Sequence, residues 1–191
     1  MKICFATNNA NKLKEIRQLL GNTIAIQSLQ EIGCTEELPE NQDTLEGNSE
    51  EKARYVYEHY QQDCFADDTG LEVNALEGEP GVYSARYAGP QRSNEDNMEK
   101  LLTRLNGKAD RSARFRTVIT LILSGKQYQF EGIVKGKIVS ERSGKQGFGY
   151  DPIFVPEGYS QTFAEMDMQT KNKISHRGLA TKKLADFLMQ L

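Results

Sequence analysis

The chain has 191 residues, a length that suits one domain or one domain with two lobes. Its hydrophobic fraction of 38% and charged fraction of 27% are typical of a soluble globular protein, and its net charge of -3 argues against a general nucleic-acid binder. No apolar run is long enough to span a membrane, and the N-terminus lacks a signal-peptide pattern. We therefore expect neither nucleic acid nor a membrane as a partner.

The three cysteines, Cys4, Cys34 and Cys64, are odd in number and share no metal-ligand spacing. Disulfides are rare in the cytoplasm, where thiols are kept reduced. We interpret the three side chains as reduced thiols and predict a cytoplasmic protein.

The first predicted element is a buried strand over residues 2–6, followed by a polar turn at residues 7–12. Leucine and isoleucine then recur at helical spacing up to Gly21, where the predicted helix ends. Strand, polar loop and helix in this order aim helix N-terminal amides and Lys12 at the loop, where a phosphate is the natural occupant. The loop lacks the glycines of a Walker motif. An Asn-rich helix cap beside a solvated lysine explains the pattern equally well.

A loop rich in acids, residues 30–43, leads to the second predicted helix, and most of its carboxylates are expected to be solvated. Thr44 or Asp43 can cap this helix. Asn48 and Lys52 lie four residues apart, so they share one helical face. Lys52 is a second candidate phosphate contact.

The apolar run at residues 64–66 ends in two adjacent carboxylates, Asp67 and Asp68, before Thr69 and Gly70. Strand-like residues pass into turn residues here, which predicts a turn. Neighbouring side chains on an extended strand point opposite ways, so we expect a bend at Gly70 that lets both carboxylates serve one site. Two anions this close repel each other, and a divalent cation is the usual remedy. A solvated acidic turn is the plainer alternative.

The second half of the chain begins with a structured Gly/Pro-rich loop over residues 78–89 and a helix that opens at Ser93. A strong strand pattern at 111–123 and a second strand at 127–134 surround a tight turn, which predicts a hairpin. A short strand and a terminal helix complete the pattern. These elements predict a mixed α/β sheet with helices packed on it.

A glycine-rich loop with aromatic residues, GKQGFGYDP at 144–152, precedes that short strand. Exposed glycines between aromatic rings let a planar ligand approach the backbone and stack, although a flexible surface hairpin has the same composition. The cationic stretch 171–177 contains His176, one of only two histidines. Such stretches are more often solvated than functional. Taken together, the candidates still form an inventory for a nucleoside triphosphate with Mg²⁺.

The sequence resembles the non-canonical purine nucleoside triphosphate pyrophosphatases, the inosine/xanthosine triphosphatase family, over almost its whole length. Five motifs carry the resemblance in the family's order: ATNNANK at 6–12, ADDTGL at 66–71, PGVYSARY at 80–87, GFGYDP at 147–152 and ISHRG at 174–178. One departure is visible, since the family's Phe-x-x-Asn-Ala reads LEGNS at 45–49. Asn48 and Lys52 are retained.

The resemblance implies an α/β fold with an elongated mixed β-sheet, flanking helices and two lobes around a central cleft. It implies one two-lobed domain over residues 1–191, and usually a homodimer. It also implies hydrolysis of ITP, dITP and XTP to the monophosphate and pyrophosphate with Mg²⁺. A house-cleaning pyrophosphatase for other modified nucleotides is the alternative, and a nucleotide sensor without turnover is a further one.

The family's functional residues carry over onto matching positions of this sequence. Asp68 would be the catalytic acid/base residue with Asp67 assisting, and Asp68 and Glu40 would be metal ligands. The sequence leaves open which of the two aspartates takes the proton. The residues implied to bind substrate are Thr7, Asn8, Asn9, Ala10, Asn11, Lys12, Lys52, Thr69, Phe148, Gly149, Tyr150, Asp151, Lys171, His176 and Arg177.

Base selection is expected to depend on His176 and Arg177. Hypoxanthine and xanthine present a 6-oxo acceptor where adenine presents an amino donor. A donor pair would satisfy the oxo group and leave the adenine donor unpaired, which costs about 1–3 kcal/mol for a buried polar group.

Overall fold

The computed structural model describes residues 2–21 and 23–190. It divides into two compact units. The first unit comprises residues up to Asp68, Thr117–Gly132 and residues from Arg177 onward. The second unit comprises Thr69–Arg116 and Ile133–His176.

Strands and helices alternate up to the third strand, and the rest of the chain contains consecutive strands and two consecutive helices. The strands are β1 (Lys2–Phe5), β2 (Ala25–Gln27), β3 (Cys64–Val73), β4 (Pro80–Gly81), β5 (Ser112–Leu123), β6 (Lys126–Ile138) and β7 (Phe154–Pro156). The helices are α1 (Ala10–Leu20), α2 (Leu45–Tyr60), α3 (Asn94–Arg104), α4 (Met168–Ile174) and α5 (His176–Leu188). Among the described residues, no helix is long and apolar enough to cross a membrane.

The sheet is mixed, as predicted. Its strand order is β2-β1-β3-β5-β6-β7, and β4 pairs with β3. β1 pairs in parallel with both β2 and β3, whereas the β3–β4 and β6–β7 pairs are antiparallel. The hairpin between β5 and β6 is confirmed, with Ser124 and Gly125 in left-handed conformations at its turn.

The core of the first unit consists of two apolar clusters. In one, Phe5 of β1 lies opposite Phe65 of β3, and their rings stack at 4.7 Å between centroids. α1 and α5 contribute Ile16 and Leu184 to this cluster. The other cluster contains all three cysteines, which are buried and form no disulfide with one another. Their reduced state in the cell stays a prediction.

The core of the second unit is a cluster of aromatic and aliphatic side chains. Phe115 of β5 packs edge-on against Phe154 of β7, and Phe163 joins them at 5.3 Å from Phe154. α3 contributes Met98 and Leu101 through its buried face. Its predicted cap is confirmed, because the Ser93 side chain accepts a hydrogen bond from the amide of Asp96.

The turn predicted at Asp67–Gly70 is wrong. β3 continues without a break from Cys64 to Val73. Pairing with β1 at its start and with β4 at Leu71 keeps the chain extended, and this pairing outweighs the turn propensity of Asp, Thr and Gly. Asp67 and Asp68 therefore project to opposite sides of one extended strand, and each has its own partners.

Candidate active site

The polar loop after β1 is a capped helix start. The Asn9 side chain accepts hydrogen bonds from the amides of Asn11 and Lys12 at 3.0 and 3.2 Å. The amide of Asn9 in turn donates to the Thr7 hydroxyl at 3.2 Å. This local network explains the Asn-rich sequence and presents the α1 N-terminus, the end of a helix dipole that favours anions.

Six charged residues of the first unit form a connected group, which we call the Asp67–Asp68 cluster. Its members are Lys12, Glu40, Lys52, Asp67, Asp68 and Arg177. The sequence predicted all six as site residues, and the fold brings them together. The substrate, metal and proton-transfer roles assigned to them remain predictions.

Asp67 is a buried anion that lies between two cations. Its carboxylate accepts from Lys12 Nζ at 3.0 Å and from Arg177 Nε at 3.1 Å, and Arg177 also donates to Glu15. Asp67 is 1% exposed. Burial alone would raise the pKa of Asp67, but Lys12, Arg177 and Lys52 outweigh it and hold that pKa well below the usual range. Asp67 therefore stays ionised.

Asp68 has a different environment. Asn48 Nδ2 donates to its Oδ2 at 3.1 Å, and Lys52 Nζ lies 3.7 Å from its Oδ1. Burial raises the pKa of Asp68, Glu40 raises it further, and Lys52, Lys12 and Asn48 offset only part of this effect. The two adjacent aspartates thus differ, and Asp68 is the one that accepts a proton more readily.

Lys52 links the two acidic positions. Its ammonium donates to Glu40 Oε1 at 2.7 Å and to the main-chain oxygen of Asp67 at 2.8 Å. Burial would lower the pKa of Lys52, but Asp68, Glu40 and Asp67 outweigh it and raise that pKa. Lys52 is therefore a fixed cation between two carboxylates.

Glu40 and Asp68 have the chemistry expected of a magnesium site. Both supply carboxylate oxygens, the ligands that Mg²⁺ prefers. Both carboxylates also lie close to the ammonium group of Lys52. In the part of the chain that the structure describes, no group of three or more His, Cys, Asp or Glu side chains could hold a metal. Mg²⁺ is commonly bound by one or two carboxylates together with substrate phosphates, so two protein ligands fit this ion.

Two residues that contact the Asp67–Asp68 cluster were not assigned to the site from the sequence. Asn48 was predicted only to share a face with Lys52, yet it bridges Asp68 and the amide of Gln42. Glu15 lies among the apolar residues of α1 and is 4% exposed. A carboxylate next to the apolar stripe of a helix was the available signal for Glu15, because a buried acid requires a partner.

The glycine-aromatic loop contributes to a separate charged group within the second unit. Asp151 Oδ2 accepts from Lys171 Nζ at 2.7 Å and from the amide of Phe148 at 2.9 Å. Lys171 Nζ also lies 5.2 Å from the centre of the Phe148 ring. Asp151 and Lys171 are both buried, so their pairing fixes the conformation of the loop.

Gly147→Ala is expected to lower the free energy of unfolding by about 1–3 kcal/mol more than Gly149→Ala, the cost of disturbing a buried polar contact. Both glycines have left-handed φ angles, +72° and +63°, so both variants carry the same backbone penalty. A Cβ at Gly147 would collide with the Asp151 carboxylate, whereas one at Gly149 would meet nothing within 4 Å. Urea unfolding of the two variants tests this, and equal losses would contradict it.

The remaining predicted substrate contacts belong to the second unit. The Tyr150 hydroxyl donates to the main-chain oxygen of Ser84 at 2.7 Å, and the His176 ring stacks on Phe115 at 4.5 Å. Tyr150 and His176 are each 4% exposed. Thr69 is half-buried on β3. Their roles toward a nucleotide stay predictions.

Comparison with known proteins identifies relatives over the whole chain. A model of the Ham1 family matches residues 3–187. A dITP/XTP pyrophosphatase of Flavobacterium johnsoniae is 57% identical over 98% of both chains.

Solved structures show the same fold. A HAM1 protein from Coxiella burnetii superposes with a TM-score of 0.91 at 36% identity, over all of both chains. The Staphylococcus aureus Ham1 protein superposes with a TM-score of 0.89 at 37% identity, over all of this chain and 99% of the other.

Proposed function

The chain belongs to the Ham1 family, and we propose that it hydrolyses deaminated purine nucleoside triphosphates, namely dITP, ITP and XTP, to the monophosphate and pyrophosphate. The observation that carries this proposal is the arrangement of Glu40 and Asp68 around Lys52. Two carboxylates and a lysine, close to a capped helix N-terminus, are suited to a polyphosphate with its metal ion. The name of the Flavobacterium relative supports the choice of substrate.

In the proposed reaction, a water oxygen forms a bond to the α-phosphorus while the bond from that phosphorus to the bridging oxygen breaks, and pyrophosphate leaves. Asp68 accepts the proton of the water, since its pKa is raised while that of Asp67 is depressed. Lys12 and Lys52 offset the negative charge of the phosphates. Little covalent work falls to the protein, so positioning and charge stabilisation dominate.

We propose Mg²⁺ as the cofactor, with Glu40 and Asp68 as its protein ligands. When bound, Mg²⁺ neutralises charge on the phosphate oxygens. Asn48 holds Asp68 at 3.1 Å and Lys52 holds Glu40 at 2.7 Å, so both carboxylates are already oriented by neighbours. Such outer contacts are common around metal ligands.

The test is to incubate the purified protein with dITP, XTP, ITP, GTP or ATP and Mg²⁺, and to assay pyrophosphate and orthophosphate separately. We expect fast pyrophosphate release from the first three, little from GTP or ATP, and none with excess EDTA. Orthophosphate as the first product would mean attack at the γ-phosphorus and would overturn the mechanism. Turnover of modified pyrimidine or 7-methylguanosine triphosphates alone would favour the alternative, a house-cleaning pyrophosphatase for other modified nucleotides.

Three finer predictions complete the proposal. His176 and Arg177 are proposed to determine base selection through the 6-oxo group of the purine. The protein is proposed to act as a homodimer, which its mass in solution would test. A cytoplasmic location is proposed from the family and from the three thiols predicted to be reduced.

A further inference from the structure

Glu40 lies in a stretch without helix or strand. Residues 33–44 connect a short 3-10 turn to α2, and their backbone adopts no regular structure. Backbone polar groups in such a segment need partners elsewhere, and those partners determine where the segment lies. The position of the Glu40 carboxylate therefore depends on contacts made by its neighbours in the chain.

The first anchor is Asn8, which uses both ends of its carboxamide. Its Nδ2 donates to the main-chain oxygen of Glu36 at 3.1 Å, and its Oδ1 accepts from the amide of Leu38 at 3.0 Å. Leu38 is two residues before Glu40. Asn8 thus fixes the backbone on the N-terminal side of Glu40 from the loop between β1 and α1.

The second anchor is Glu51 of α2. Its Oε2 accepts from the amide of Asn41 at 2.8 Å, and its Oε1 accepts from the Asn41 side chain at 3.2 Å. Asn41 directly follows Glu40, and Lys52, which holds the Glu40 carboxylate, directly follows Glu51. One turn of α2 therefore holds the loop backbone and the Glu40 side chain together.

We propose that Glu51 and Asn8 are positioning residues, which fix the backbone on the two sides of Glu40 and so hold its carboxylate where it can bind a divalent cation. This inference rests on the proposed function, in which Glu40 is a metal ligand. Both oxygens of Glu51 accept hydrogen bonds from Asn41, which is the neighbour of Glu40 in the chain. Partners that orient a metal ligand typically change metal affinity or activity about 10–100-fold when removed.

The test compares Glu51→Ala with Glu50→Ala, a matched control on the same helix. Glu50 accepts a hydrogen bond from Arg54 at 2.7 Å, an exposed contact between two residues of α2. Two readouts apply: amide hydrogen exchange of Asn41 by NMR, and Mn²⁺ affinity from paramagnetic broadening of the Asp68 amide without nucleotide. We expect Glu51→Ala to accelerate exchange at Asn41 and to weaken Mn²⁺ binding about 10–100-fold. Glu50→Ala should change neither, and Glu51→Gln, which retains one acceptor, should lie between.

Asn8 is tested in the same way at the other side of the loop. Asn8→Ala should accelerate hydrogen exchange of the Leu38 amide. Asn8→Asp keeps the oxygen that accepts from this amide, so the amide should exchange as slowly as in wild type. An Asn41 amide that exchanges equally fast in wild type and Glu51→Ala would overturn the inference. Loss of Mn²⁺ binding with Asn41 still protected would also overturn it, because Glu51 would then be a ligand. A wild-type protein that releases no pyrophosphate would refute the proposed function instead, and the exchange data would still decide whether the anchors exist.

Discussion

Asp68→Asn is expected to lower kcat for dITP at least about 100-fold, the scale typical of acid–base groups. Asparagine keeps the size of the side chain and can still face Asn48 and Lys52, but it cannot take a proton from water. It also supplies one oxygen to a metal ion instead of a charged carboxylate. Pyrophosphate release under single-turnover conditions measures the effect on the chemical step.

At neutral pH, the free energy of unfolding of Asp68→Asn is expected to equal that of wild type or to exceed it slightly. The folded-state pKa of Asp68 is raised, so its ionised form is disfavoured by folding at neutral pH. A raised pKa contributes stability that is present below the unfolded-state pKa and is lost as the pH rises through the folded-state pKa. The free energy of unfolding of wild type should therefore rise relative to that of Asp68→Asn as the pH falls. Urea unfolding at pH 7 and at pH 4 tests the sign of this difference in stability. In the kinetic test, a kcat of Asp68→Asn close to that of wild type would contradict the catalytic role assigned to Asp68.

Local patterns in the sequence predicted three of the helices. α1, α2 and α3 are visible from apolar spacing, and their cap residues Asn9, Thr44 and Ser93 stand where short polar side chains precede that spacing. Lys52 and Asn48 share a helical face because they lie four residues apart. These features depend on nearby residues, so periodicity is sufficient to find them.

The incorrect turn at residues 67–70 and the unpredicted contact of Glu15 both depend on residues that are distant in the sequence. β3 stays extended through Asp67 and Gly70 because β1 and β4 pair with it, and local propensity contains no information about strand partners. Glu15 binds Arg177, a residue 162 positions away in the chain. Contacts of this range are set by the packing of α1 against the start of α5, which a local pattern cannot show.

Asp67→Asn is expected to lower the free energy of unfolding by about 3–5 kcal/mol, the usual cost of removing one partner from a buried ion pair. Asp67 lies between the partly buried cation Lys12 and the buried cation Arg177. Asparagine would remove the anion that these two cations share, while Arg177 would keep its pair with Glu15. Glu50→Gln is the control, because loss of the exposed pair with Arg54 should cost only about 0.3–0.5 kcal/mol.

The pH dependence of the Asp67→Asn loss should run opposite to that expected for Asp68. A depressed folded-state pKa contributes stability that is present above the unfolded-state pKa, about 3.9 for aspartate, and is lost as the pH falls through the folded-state pKa. The difference in free energy of unfolding between wild type and Asp67→Asn should therefore have its full value at pH 7 and begin to decrease only below about pH 4. Urea unfolding across this range measures it. A loss below about 1 kcal/mol at pH 7, the value for a surface pair, would show that Asp67 does not bind the two cations in solution. The full loss, beside an unaffected stability in Asp68→Asn, would mean that one aspartate holds the cluster together and its neighbour is left to react.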